Sequence, residues 1–252
     1  MANWNDPQPG QGFGASPRLN GQGMDGAAVG RAGYDMGLRR YMLSIYNYMA
    51  SGVLLSGIVA LLFARSGMAA QVMTGGPLMW IIALSPLAFV FAMSFGAHKM
   101  STATLQALFW GFCTVMGLSL STIFLVFTAS SIAATFFATA GAFAGLSLVG
   151  YTTKKDLSGM GTFLTMGVIG LLIAMLVNMF MQSSGLQLVI SFLGVLIFAG
   201  LTAWDTQRLK QQYYQLAGTE FAGKAVVLGA LSLYLDFINM FQFLLSFMGQ
   251  RD

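Results

Sequence analysis

Two aspartates hold most of the chemistry this chain can offer. Asp205 sits in "TAWDTQ", residues 202–207, after forty-eight residues, 157–204, that carry no charge. Asp236 sits in "LYLDFIN", inside a second apolar run. An ionised side chain at bilayer depth costs about 2.5 kcal/mol or more, so such a residue turns to a cavity or a partner and marks function. Two carboxylates that meet with little water between them cannot both stay ionised; they share a proton, and the charge of the pair follows pH. Their hard oxygens are also the ligand type that Ca²⁺ prefers. Asp205 and Asp236 are therefore candidates for a pH sensor on an ion pathway and for a possible Ca²⁺ contact.

The elements that must position them follow from hydropathy. Of 252 residues, 56% are hydrophobic and only 8% charged, where a soluble domain has about 25% charged. The composition is that of an integral membrane protein. Residues 1–33, rich in Asn, Gln, Pro and Gly, bury too little to offset ordering and are expected to form a disordered tail; the first apolar run is too long for a signal peptide. Beyond the tail, sparse charges punctuate stretches of about 20 apolar residues, each enough to cross a bilayer as a helix. The spans expected are 41–64, 77–97, 103–126, 130–150, 160–181, 186–208 and 225–247, forming one all-α membrane domain over 34–252. Pro86 is a possible kink in the second. Gly141 and Gly145, in GxxxG spacing, are read as helix packing. Cys113 is read as packing too, and the many Phe and Met as lipid-facing bulk and gap filling.

Lys and Arg fix the orientation. With the N-terminus inside, ten of the twelve fall on the inner side and only Arg65 and Arg251 on the outer. The N-terminus is thus expected in the cytoplasm and the C-terminus outside, with a bacterial inner membrane as the expected location. Asp236 follows Lys224 by twelve residues, about 18 Å along a helix, which places it near mid-membrane. Ser232, Asp236, Asn239, Gln242 and Ser246 share one side of that helix, within an arc of roughly 120°. Lipid cannot face such a stripe, so the seventh span belongs inside the bundle. The sixth and seventh spans run antiparallel, which lets Asp205 and Asp236 meet.

At these residues the chain resembles a known family. "FAGLTAWDTQRLKQQY" and "ALSLYLDFINMFQFLL" resemble the sixth and seventh helices of the Bax inhibitor-1 (transmembrane Bax-inhibitor-motif) family. "VGYTTKKDLSGMGTFLTMGVIGLLIAMLVNMF" resembles the junction of its fourth and fifth helices. The resemblance spans about residues 35–248 and implies seven helices with the C-terminal one central. It also implies a pH-sensitive Ca²⁺ leak governed by an aspartate dyad, mapping onto Asp205 and Asp236. Family members are described as holding the closed state through a basic latch from the second-to-third helix region, where this chain offers His98 and Lys99. Arg208, one turn beyond Asp205, is a further basic candidate.

Two functions of different class emerge. The first is a passive, pH-gated calcium or cation leak; the second is a non-transporting regulator or adaptor that binds membrane proteases or other membrane proteins in stress or cell-death control. An intramembrane aspartyl protease is disfavoured because Asp236 lacks the Gly-x-Gly-Asp setting and seven spans replace nine. A retinal protein would need a lysine in the seventh span, which has none. The scattered basic residues give no nucleic-acid face, and nothing suggests nucleophilic or zinc chemistry. The expectation is a non-enzyme without a resident cofactor, whose partners are the bilayer, calcium and protons, with a membrane-protein partner under the second reading.

Overall fold

The computed structural model describes residues 22–73 and 76–250, with side chains from Met36 onward except Met73. Among the described residues there are nine helices and no strand: α1 (Gln22–Arg65), α2 (Met68–Met73), α3 (Pro77–Gly96), α4 (Thr102–Leu120), α5 (Ile123–Val126), α6 (Ala129–Thr152), α7 (Ser158–Met181), α8 (Ser184–Leu216) and α9 (Phe221–Met248). The chain divides into two units, Met1–Gly37 and Leu38–Asp252, and the second builds the helix bundle.

Seven segments are long and apolar enough to cross a bilayer: Met36–Arg65, Pro77–Gly96, Thr102–Val126, Ala129–Thr152, Ser158–Met181, Ser184–Leu216 and Phe221–Met248. The chain is an all-α integral membrane protein. Among the seven spans the largest departure from the expected boundaries is Ser184–Leu216, which runs two turns past residue 208 because "LKQQYYQL" holds no Gly or Pro and several good helix formers. It stops where Gly218 takes φ +82°. Most of the tail expected to be disordered lies outside the described residues. Its last part, 22–33, is helical, since adding turns to a helix that is already nucleated is far easier than starting one.

The ends are set locally. Ser101, Thr128 and Ser183 cap α4, α6 and α8, each accepting a hydrogen bond from the backbone N–H three residues on, which satisfies one of the donors every helix start leaves open. α7 ends at Gln182 in the left-handed conformation, φ 50°, at the break expected there. α3 continues through Pro86.

α9 is central. In its most apolar window 56% of the residues are buried, against 11–39% in the other six spans. Its buried residues, among them Ala225, Val227, Leu231 and Met240, cover about two thirds of its circumference, and the remaining face, with Ser232, Leu235, Asn239 and Gln242, is half-buried. α8 packs on α9 most extensively, and α4 and α6 also touch it. α3 and α7 turn most of their surface outward, exposing Trp80, Phe95, Phe163 and Phe180. Cys113 is fully buried, in keeping with packing.

Glycine makes the closest approaches, though not where GxxxG suggested. A Cβ on Gly141 or Gly145 would meet nothing within 4 Å, so that stripe packs against no other helix. The two tightest contacts are elsewhere, both against α8. A Cβ on Gly150 would lie 2.1 Å from the Ala203 carbonyl oxygen, and one on Gly161 would lie 2.1–2.4 Å from the Trp204 ring. Spacing alone missed these because a small residue matters only where a neighbour's backbone or ring arrives.

Gly150→Ala is accordingly expected to destabilise the purified protein by about 1–3 kcal/mol, the usual range for overpacking, because backbone cannot rotate away from the added methyl. Thermal unfolding in detergent should show a clear loss for Gly150→Ala and no comparable loss for Gly141→Ala.

Candidate functional site

Six consecutive residues of α8, 202–207, anchor the helix to most of its surroundings. The Thr202 hydroxyl donates back to the Phe198 carbonyl at 2.8 Å, which leaves no free polar group there. Ala203 and Trp204 press on Gly150 of α6 and Gly161 of α7. Asp205 turns toward α9. Thr206 Oγ1 lies 3.4 Å from Tyr46 Oη of α1. Gln207 spans to the α6–α7 connection: its Oε1 accepts from Leu157 N at 2.9 Å and its Nε2 donates to Lys155 O at 2.8 Å.

Asp205 and Asp236 are brought together. Each is about 95% buried, and the two carboxyl groups lie close enough across the α8–α9 seam to interact. Ser232, one turn before Asp236, donates its hydroxyl to Asp205 Oδ2. Arg208 Nη2 donates to Ser232 Oγ at 3.0 Å and also lies 3.0 Å from Asp205 Oδ1. That second approach is ionic without hydrogen-bond alignment, for Asp205 Oδ1 and Asp236 Oδ2 have no hydrogen-bond partner. The guanidinium is partly exposed and stacks 4.7 Å from the centre of the Trp204 ring. The result is a chain from Arg208 through Ser232 to Asp205, with two buried carboxyl oxygens left over.

Buried acids are retained only where partners or a proton offset the lost hydration. Here the Arg208 guanidinium meets the carboxyl group of Asp205. A pocket of about 360 Å³ lies beside it, walled by Ser94 of α3, Arg208 and Gln212 of α8, and Gly229 and Ser232 of α9. Neither aspartate lines the pocket. Arg208 and Ser232 stand between.

The remaining candidates separate. His98 stacks on Phe221 at the start of α9, ring centres 5.5 Å apart, and Lys99 is exposed. Among the described residues Arg208 is the one cation in salt-bridge contact with Asp205. On the stripe, Asn239 donates to its own helix at Leu235 O, and Gln242 is half-buried. Ser246 joins a second polar cluster, taking hydrogen bonds from Gln187 at 3.2 Å and Ser191 at 3.0 Å, while Asn178 Nδ2 donates to Gln187 Oε1 at 3.0 Å. The stripe is satisfied mainly by α8, at its two ends. No cluster of three or more His, Cys, Asp or Glu able to hold a metal occurs among the described residues.

Sequence reasoning missed Gln207 and a buried node on α9. Ser56 Oγ of α1 lies 2.6 Å from both Cys113 O of α4 and Tyr234 Oη of α9, locking three helices together. The signal for the first was the run of polar residues flanking Asp205. For the second it was a lone serine in an apolar span, too common to single out. Outside the membrane spans, Asp156 Oδ1 accepts from the hydroxyl and the amide of Ser158, and these bonds hold its carboxyl below the usual carboxylate range.

Comparison with known proteins agrees with this architecture. The family described as "Inhibitor of apoptosis-promoting Bax1" matches residues 38–252. An uncharacterized protein of Caulobacter vibrioides is 49% identical over 228 residues, covering 85% of this chain and 90% of the relative. The inner membrane protein YbhL of Escherichia coli is 43% identical over 218 residues, covering 85% and 93%. Protein RP147 of Rickettsia prowazekii is 44% identical over 218 residues, covering 86% and 92%.

Replacing Gln207 with Ala leaves the Leu157 amide and the Lys155 carbonyl without their partner, a loss of about 1–3 kcal/mol if neither finds water. Hydrogen exchange at residues 153–158 should speed up selectively, while exchange in the middle of α9 stays as in the parent.

Proposed function

The chain belongs to the Bax inhibitor-1 family, and on that premise we propose that it is a passive, proton-sensitive cation leak, with calcium as a substrate ion, gated by Asp205 and Asp236. The observation that carries this reading is the meeting of two buried carboxyl groups from α8 and α9 inside a membrane bundle. Such a pair has little structural use, since breaking even is the best a buried charge usually achieves.

The gate works through charge. With one proton shared, the pair hydrogen-bonds across the seam and Arg208 balances the remaining negative charge, which holds α8 against α9. Loss of that proton leaves two carboxylates facing one guanidinium, and the excess negative charge either repels the helices or draws in a cation. The state of the seam then follows proton and ion occupancy.

The ligands suit transit better than storage. Calcium takes six to eight oxygens when held firmly. Two carboxyl groups and the Ser232 hydroxyl supply fewer, with the rest left to water, so the ion is bound weakly enough to leave. The pocket bounded by Ser94, Gln212 and Arg208 is the approach on one side. Following the charge bias, that side is cytoplasmic and the C-terminus is outside, in a bacterial inner membrane like that of the Escherichia coli relative. We assign the chain no catalytic role.

Two measurements test the reading. In proteoliposomes, Asp205→Asn should flatten the pH dependence of Ca²⁺ flux, and a variant that titrates like the parent would refute the mechanism. Absence of flux from the parent itself would return the regulator reading. Because the ion needs the deprotonated oxygens, Ca²⁺ binding should weaken as pH falls through the titration of the pair, by up to about tenfold per pH unit for one displaced proton, as read by calorimetry.

A further inference from the structure

On the far side of α9 from this pair's pocket wall in α3, a wide groove opens between α1 and α6. Its larger part, about 840 Å³, is lined by side chains such as Met49 and Leu54 of α1, Ala140 and Phe143 of α6, and Phe237 of α9. A second cavity of about 280 Å³ shares Val53, Phe136 and Phe237 with it, so the two adjoin. From Arg39, which lines the first, to Ala60, which lines the second, α1 rises about 31 Å. The two cavities together therefore border α1 over about the thickness of the hydrocarbon layer.

An apolar groove of this size in a bilayer has few possible contents. Water gains nothing from a wall without polar partners. An empty groove would forfeit the dispersion contacts of every side chain that lines it. A hydrocarbon chain supplies those contacts.

One end of the groove is chemically distinct. Arg39 lines it, is exposed, and has no ion pair among the described residues. Tyr151 lines the same end, and Lys210 sits over its ring at 4.9 Å while donating to its carbonyl at 2.8 Å. Lys154 and Lys155 follow three and four residues on. One turn inward from Tyr151, Ser147 lines the groove as a 94% buried residue whose Oγ is closed off from it. A cation at the mouth and an apolar trough below match, in order, the phosphate and the acyl chain of one molecule.

We propose that the α1–α6 groove binds an anionic phospholipid, its acidic head group on Arg39 and one acyl chain along Met49, Phe143 and Phe237. The site is separate from the aspartate pair, and its test does not depend on ion flux.

Native mass spectrometry of the full chain in neutral detergent, offered phosphatidylglycerol and phosphatidylcholine with identical acyl chains, tests it. The parent should retain phosphatidylglycerol preferentially. Arg39→Gln should reduce that preference about fivefold, the ratio equivalent to the ~1 kcal/mol of one basic side chain near an anionic lipid. Arg40→Gln, altering an exposed cation that does not line the groove, should leave the preference unchanged. Ala144→Trp, at an exposed position on the groove wall, should lower retention of both lipids without loss of thermal stability. Phosphatidylglycerol with a photoactivatable chain should label α1 and α6 above α3 and α7. Equal retention of the two lipids by the parent, an unaltered preference in Arg39→Gln, or even labelling of all outward helices would each overturn the proposal. So would a crosslinked dimer joined through the groove, which would assign it to a second copy of the chain.

Discussion

The bilayer core holds no water, so each polar group buried there has to find its partner within the protein. In this chain that constraint falls hardest on the seam between α8 and α9. α9 is the most deeply buried of the seven spans, and it is also the one carrying a polar stripe from Ser232 to Ser246. α8 answers that stripe at both ends, with Asp205 toward Ser232 and Asp236, and with Gln187 and Ser191 toward Ser246. Between them the seam is closed by ring packing: Phe243 lies against Gly194 and stacks with Phe198, centres 5.8 Å apart. Two polar ends separated by an aromatic stretch are the layout the rest of the bundle supports.

The other helices hold that seam in place. α1 bonds to α9 and α4 through Ser56 and meets α8 through Tyr46. α6 and α7 reach α8 at two glycines, where backbone or ring takes the space of a side chain. Arg208 alone straddles buried and exposed surroundings. Its guanidinium lies over Trp204 while its Nη2 meets Ser232 and Asp205, an arrangement that the planar, forked head group favours over an ammonium.

Much of this was legible in the sequence, for reasons that differ by feature. Span positions followed from hydropathy, which is a property of the chain in one dimension. The interior position of α9 followed from the phase of Ser232, Asp236, Asn239, Gln242 and Ser246, which needs only the helical period. The convergence of Asp205 and Asp236 followed from the antiparallel order of the last two spans. What stayed hidden depends on how helices are rotated against one another. Gly141 and Gly145 have the spacing of an interface and face none, whereas Gly150 and Gly161 lack the spacing and make the contacts. Gln207 reads as an ordinary helix residue until the α6–α7 connection arrives beside it. His98 and Lys99 were candidates by their place in the chain, and a stacking partner at Phe221 takes the first away from the acids. The two turns of α8 beyond residue 208 were under-read because charge there signals the membrane surface, not the end of a helix.

The clasp at Gln207 limits how α8 is able to move. Two residues separate it from Asp205, a turn of about 200° around the helix, so the two side chains leave the axis in nearly opposite directions. Rolling α8 to withdraw Asp205 would tear Gln207 from Leu157 and Lys155, and would grind Trp204 into Gly161. α8 thus behaves as a stator. Any displacement that parts the two acids has to come from α9 swinging or sliding against it, or from a tilt of α8 that carries the α6–α7 connection along as cargo.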